Sequence, residues 1–129
     1  MKSCTIDITG DREMEEIVNK SITAKKVMTC SHCDGKIQTG ERCRIGVYAD
    51  ADDVKTLDII CADCFSVRSV LFCGYPVGGG TWELVEDSLL DDMDGKTENE
   101  IISKLHLLTP AAKDRVIRTI DTIWEECAE

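Results

Sequence analysis

Cys30-Ser31-His32-Cys33 and Cys61-Ala62-Asp63-Cys64 are two C-x2-C pairs, with 27 residues between Cys33 and Cys61. Four thiolates in two such pairs suit a tetrahedral Zn²⁺ ion, because a two-residue gap lets both sulfurs of a pair reach one ion at about 2.3 Å. Asp34-Gly35-Lys36-Ile37 follows the first pair as a tight turn, whose backbone N–H groups can donate to the sulfurs and offset the charge of a tetrathiolate. The second pair is expected to open a helix, and the positive end of the helix dipole favours ionised thiols at Cys61 and Cys64. A catalytic zinc keeps one position for water, so a set of four cysteines predicts one structural Zn²⁺ and no turnover. His32, flanked on both sides by ligands, is expected to point outward.

The remaining cysteines invite other readings. The chain has eight cysteines, and its N-terminus, Met1-Lys2-Ser3-Cys4-Thr5-Ile6-Asp7, shows no apolar signal segment, which predicts a cytoplasmic location and thiols that are metal-bound or free. Cys4, Cys43, Cys73 and Cys127 contain no further close pair, so they read as buried free thiols and not as a second metal site. The usual catalytic constellations are missing. His32 and His106 are the two histidines, and Gly78-Gly79-Gly80 is not followed by the Lys-Ser/Thr of a phosphate loop. Asp91-Asp92-Met93-Asp94-Gly95 puts Leu90 where a calcium loop needs its first acidic ligand. No catalytic residue is assigned, and the chain is expected not to be an enzyme.

Taken in order, Cys30-x2-Cys33 with Gly35-Lys36-Ile37 and Gly40-Glu41, a hairpin, and Cys61-x2-Cys64 opening a helix resemble a treble-clef zinc finger. Residues 22–73 are similar to small zinc-binding proteins of bacteriophages and prophages. The resemblance implies the four cysteine ligands and a life inside an infected bacterial host cell, without implying an activity. Treble clefs include HNH-type nucleases, but the general-base histidine and the further His or Asn ligands of such enzymes are absent here.

Charge separates two functional classes. The chain carries 25 acidic and 15 basic residues, a net charge of −10. Residues 81–100 hold eight acidic groups against one lysine, while residues 20–45 hold six basic against two acidic. The first expectation is a small acidic interaction protein that binds and modulates a host protein, for example by occupying the basic groove of a nucleic-acid-handling or defence protein. Glu83, Glu86, Asp87, Asp91 and Asp92, with the apolar Ile117 and Trp124, are its candidate partner-binding residues. The second is a zinc-finger regulator contacting nucleic acid through Lys25, Lys26, Lys36, Arg42 and Arg44, which the net charge disfavours. Aromatic residues make up only 5%, too few for a base-stacking platform, and no apolar run approaches a membrane span of about 18 residues.

The elements that must hold these residues read as one α+β domain: an N-terminal strand and helix over 1–22, the zinc-binding treble clef over 23–73 and C-terminal helices over 81–129. Cys4, Ile6 and Ile8 alternate as a short strand ending at Thr9-Gly10. Asp11 is expected to cap a helix bearing Met14, Ile17 and Val18 on one side. Residues 23–29 read as extended, and 42–48 and 55–60 as a hairpin turning at Asp50-Ala51-Asp52-Asp53. A helix over 65–72 stops at Gly74-Tyr75-Pro76. Thr81 is expected to cap a helix whose Trp82, Val85, Leu89 and Met93 share a face, and Thr97 with Glu100 forms a capping box for the next, through about Leu108. Pro110 begins the last helix, with Val116, Ile120, Ile123 and Cys127 along one stripe that Ile117 and Trp124 widen. Such a stripe can pack on the zinc module, meet a partner or form a homodimer.

Overall fold

The hairpin at the centre of the chain forms where its sequence places it. In the computed structural model, which describes residues 5–7, 15–73, 80–92 and 94–127, β5 (Arg42–Ala49) and β6 (Lys55–Cys61) pair antiparallel from Cys43↔Cys61 to Ala49↔Lys55. Asp50 organises the turn, its Oδ1 accepting the backbone N–H groups of Asp52 at 2.9 Å and Val54 at 3.0 Å.

The helix expected after Asp11 is not formed over the described part of that segment. Residues 15–23 are strand β2 (Glu15–Thr23), which lies antiparallel to β5 and gives the sheet order β2-β5-β6. Ile17, Val18, Ile22 and Thr23 are β-branched, and pairing from Glu15↔Ala49 to Thr23↔Arg42 satisfies backbone groups that a short isolated helix would hold weakly. Ile17 sits where the register shifts between Glu16 and Val18 and leaves 48% of its surface exposed, so the helical spacing with Val18 marks no buried face.

The first cysteine pair lies in the turn between two short antiparallel strands, β3 (Met28–Thr29) and β4 (Lys36–Ile37). The second pair opens α1 (Ala62–Leu71), with Cys61 as its N-cap residue, three residues earlier than the sequence suggested. The chain then leaves the helix as β7 (Phe72–Cys73), paired in parallel with β1 (Ile6–Asp7). Strand β1 falls within the strand expected around Ile6; Cys4, Ile8 to Met14, Gly74 to Gly79 and Met93 lie outside the described residues. Cys73 corrects an expectation: it is half-buried on β7 and disulfide-bonded, not a buried free thiol. The inference from cellular compartment does not constrain two thiols that the fold brings together.

Three helices complete the chain: α2 (Thr81–Leu90), α3 (Lys96–Lys104), continued by a 3-10 turn over Leu105–Leu107, and α4 (Pro110–Cys127). Their ends differ from expectation. Gly80 and Gly95 are the N-cap residues, both in the left-handed region at φ 92° and 76°, where a side chain is disfavoured. The Thr97–Glu100 box does not form because Asp92 reaches across instead, its carboxylate accepting from the N–H groups of Thr97 at 3.2 Å and Glu98 at 3.1 Å. The bond from Glu98, foremost among these backbone donors, holds the Asp92 carboxyl below its ordinary range.

One buried cluster runs through the sheet, α1 and the C-terminal helices. Ile60, Val67 and Leu71 meet Val85 of α2, Ile101 of α3 and Val116 of α4, each at most 1% exposed. Burying these side chains contributes about 1.5–3 kcal/mol apiece, so the C-terminal helices and the cysteine-bearing segment stabilise one another. Among the described residues no helix is long and apolar enough to cross a membrane.

Candidate metal centre

The four sulfurs of Cys30, Cys33, Cys61 and Cys64 lie within 4.8 Å of one another and could hold a metal ion. Cys33 and Cys61 approach to 3.9 Å. A tetrahedron with metal–sulfur bonds of about 2.3 Å has edges of about 3.8 Å, so the sulfurs need draw in by about 1 Å at most to close on an ion. The cysteines therefore meet as their spacing predicts.

Local backbone geometry explains why they converge. The turn between β3 and β4 aims the N–H of His32 at Cys30 Sγ and the N–H of Gly35 at Cys33 Sγ, both at 3.4 Å. A Cβ on Gly35 would stand 3.2 Å from Cys33 Sγ, so this position has little room for a side chain. At the other pair, Cys61 N–H donates to Cys30 Sγ at 3.4 Å and Cys64 N–H to Cys61 Sγ at 3.5 Å. These donors favour thiolate at each sulfur they reach.

Without a cation the clustered thiols are pushed in opposite directions. Cys30 is held far below the ordinary thiol range by hydrogen bonds from the Cys61 and Cys64 side chains, then by the N–H groups of Cys61 and His32. Cys61 is pushed up to about 12 because its hydrogen is shared with Cys30, and Cys64 is pushed up by its bonds to Cys30 and Cys61. A dication at the centre inverts this balance by stabilising all four thiolates together. Cys43, paired across the sheet with Cys61, is a buried free thiol as expected, raised by burial.

His32 does not point outward. It is 6% exposed, and its Nε2–H donates to the carboxylate of Asp58 at 2.9 and 3.0 Å. Nδ1 on the other side of the ring is hydrogen-bonded to the hydroxyl of Thr81. Asp58 and Thr81 are 2% and 0% exposed, so the imidazole is drawn inward by two buried polar groups that require partners. Thr81, expected as a cap, spends its hydroxyl here. Nothing in the residues around Thr81 announced this role; an acid inside the apolar run Leu57-Asp58-Ile59-Ile60 was the available signal.

Trp82 is the second contact missed from sequence. Its Nε1–H donates to Cys64 Sγ at 3.3 Å, and the guanidinium of Arg115, on α4, stands 4.1 Å over the ring. Helix α2 is thus anchored to the cysteine centre by two consecutive residues. Trp82→Phe keeps a ring under Arg115 and removes the N–H. In chelator competition it is expected to retain metal roughly 10–100-fold less tightly, with an unchanged far-ultraviolet circular dichroism spectrum.

The other candidate residues are less gathered. Lys25 and Lys26 are exposed between β2 and β3. Lys36 donates to Thr29 Oγ1 at 2.8 Å, and Arg42 donates to the hydroxyls of Thr23 and Ser21 at 3.1 and 2.9 Å. Arg44 binds Asn19 Oδ1 and stands 4.6 Å over the Phe65 ring. Glu83, Glu86 and Asp87 are exposed on α2, Asp91 is exposed just beyond it, and Ile117 is half-buried on α4. Glu86 lines a cavity of about 240 Å³ with Arg115 and Arg118.

Asp92 and Trp124 are brought together, in a cavity of about 440 Å³ where the end of α2 and the start of α3 face α4. Leu89, Leu90, Ile120 and Ile123 supply its apolar lining, and Asp94 and Glu98 join Asp92 at its acidic side. Trp124 is 62% exposed and its Nε1–H donates to Glu98. Compared with protein-family models, curated proteins and solved structures, the chain finds no significant match.

Proposed function

We propose that the chain is a zinc-built, non-catalytic interaction protein that binds a partner protein through its acidic C-terminal helices. Four soft thiolates within 4.8 Å of one another suit Zn²⁺, and a set of four cysteines leaves no position for a reacting water. The order of cysteine turn, hairpin and cysteine-capped helix supports a treble clef, and the resemblance of residues 22–73 to phage-borne proteins supports a partner in a bacterial host cell. Of the two histidines, His32 is committed to a buried network with Asp58 and Thr81, away from solvent and from any substrate.

The observation that carries the interaction reading is the groove beside Trp124, an apolar surface left open and bordered by carboxylates. Nucleic acid is the weaker reading because Lys36, Arg42 and Arg44 are engaged by side chains of the neighbouring strand. Immobilised zinc-loaded protein tests the choice in nuclease-treated bacterial lysate. The expected result is a protein retained in a fixed ratio and released by salt. Retention of nucleic acid from untreated lysate, with a gel shift at physiological salt abolished by Lys25→Glu with Lys26→Glu, overturns it.

A further inference from the structure

We infer that the groove formed by the end of α2, the start of α3 and the C-terminal half of α4 docks a basic amphipathic helix of a partner protein. This rests on the reading of the chain as a protein-binding module and adds the chemistry of what it binds.

The groove has two kinds of wall. Leu89 and Ile120 are buried at 8% and 9% exposure and form a floor, while Leu90 and Trp124 stand at its sides with 51% and 62% of their surfaces exposed. Large apolar side chains at this exposure gain most when a partner covers them, and tryptophan is the residue type most enriched at binding hot spots. The indole is already oriented by its hydrogen bond to Glu98, so less side-chain freedom remains to be lost on binding. The acidic wall is held just as firmly. Asp92 accepts two N–H groups of α3 and Asp94 accepts the N–H of Lys96 at 3.0 Å.

Among the described residues, the lining contains three carboxylates and no lysine, arginine or histidine. An occupant must therefore present apolar side chains to the floor and cations to one edge. A helix with leucine-like residues at spacings of three and four, flanked by Lys or Arg, presents both. A second copy of this chain presents the wrong charge. In a two-fold contact centred on the groove, Asp92, Asp94 and Glu98 of each copy would oppose the same residues of the other, with a net charge of −10 on each side. Nucleic acid meets the same repulsion.

The test uses full-length, zinc-loaded protein and a synthetic amphipathic helical peptide built only from leucine and lysine, with calorimetry as readout. The expected result is saturable one-to-one binding, weakened roughly tenfold or more by Trp124→Ala and by Asp94→Lys with Glu98→Lys. A matched peptide with glutamate in place of every lysine should bind no better than that. Glu15→Lys with Glu16→Lys, at exposed positions of β2, makes the same change of net charge outside the groove and is expected to leave affinity within about twofold. Circular dichroism verifies that each variant is folded.

Equal binding of the lysine and glutamate peptides overturns the proposal. So does a loss caused by the Glu15 and Glu16 pair but not by the groove variants, which identifies bulk charge as the cause. A doubled mass in sedimentation that Trp124→Ala halves overturns it in favour of a second copy. A lysate partner whose capture ignores the groove variants overturns the groove and leaves the interaction reading standing; no captured protein at all overturns both.

Discussion

Protein purified without added zinc is expected to carry about one equivalent of Zn²⁺ per chain, and stripping that metal with a chelator is expected to unfold it. The four ligands join the turn between β3 and β4 to the end of β6 and the start of α1. Cys30 and Cys64 are 0% and 1% exposed, so the sulfurs meet inside the packed junction of these segments. Structural zinc in finger peptides has an apparent binding energy on the order of 10–16 kcal/mol, while a typical domain is stable by about 5–15 kcal/mol. Losing the first therefore removes most or all of the second. Cys61→Ser should reproduce the chelator result, since it deletes both a ligand and the N-cap sulfur of α1. Cys43→Ser is the contrast: it places a hydroxyl at a buried free-thiol position and should cost only about 1–3 kcal/mol. Elemental analysis, circular dichroism and thermal melting measure all three, and a folded, metal-free chain would sink the zinc assignment.

His32→Ala is expected to destabilise the metal-loaded protein by about 3–5 kcal/mol, far more than a surface histidine would. The imidazole is the middle member of a chain that ties the cysteine turn to β6 through Asp58 and to α2 through Thr81. Among the described residues no buried side-chain nitrogen or oxygen lacks a partner, and this substitution creates two that do. The Asp58 carboxylate suffers more than the Thr81 hydroxyl, because a buried charge without a donor is the costlier orphan. Removing every member should therefore be milder than removing one. The combination His32→Leu, Asp58→Leu and Thr81→Val is expected to recover a large part of the loss, as apolar replacement of a whole buried network often does. Urea unfolding of the zinc-loaded variants measures the series. A single-substitution effect within about 0.5 kcal/mol would show that the network contributes nothing.

Elements governed by near neighbours were legible before the fold was known. The hairpin over 42–61 follows from β-branched alternation around an Asp-rich turn, and α4 follows from Pro110 at its first turn and a regular apolar stripe. The buried faces of α2 and α4, with Trp82, Val85, Leu89, Val116 and Ile120, also match their periodicity. Strand β2 was misread because Ile17 and Val18 satisfy a helical spacing, and only pairing with β5 reveals that Ile17 lies at a break in register. The caps were misread for a related reason. Thr81 and Thr97 have the right chemistry for capping, but Thr81 is taken by His32 and the α3 N-terminus is served by Asp92, while glycines with left-handed backbone occupy the cap positions.

By itself the sequence determined the four sulfurs and their turns. Two residues between paired cysteines leave the chain few ways to separate them, and the N–H donors that serve the sulfurs come from within three residues of a ligand. Only the tertiary structure decided what surrounds them. His32 meets Asp58 across 26 residues and Thr81 across 49, Trp82 reaches Cys64 across 18, and Trp124 meets Glu98 across 26. No local spacing selects such partners. They are chosen when packing removes water from several segments at once and each buried polar group must find whichever donor or acceptor arrives beside it.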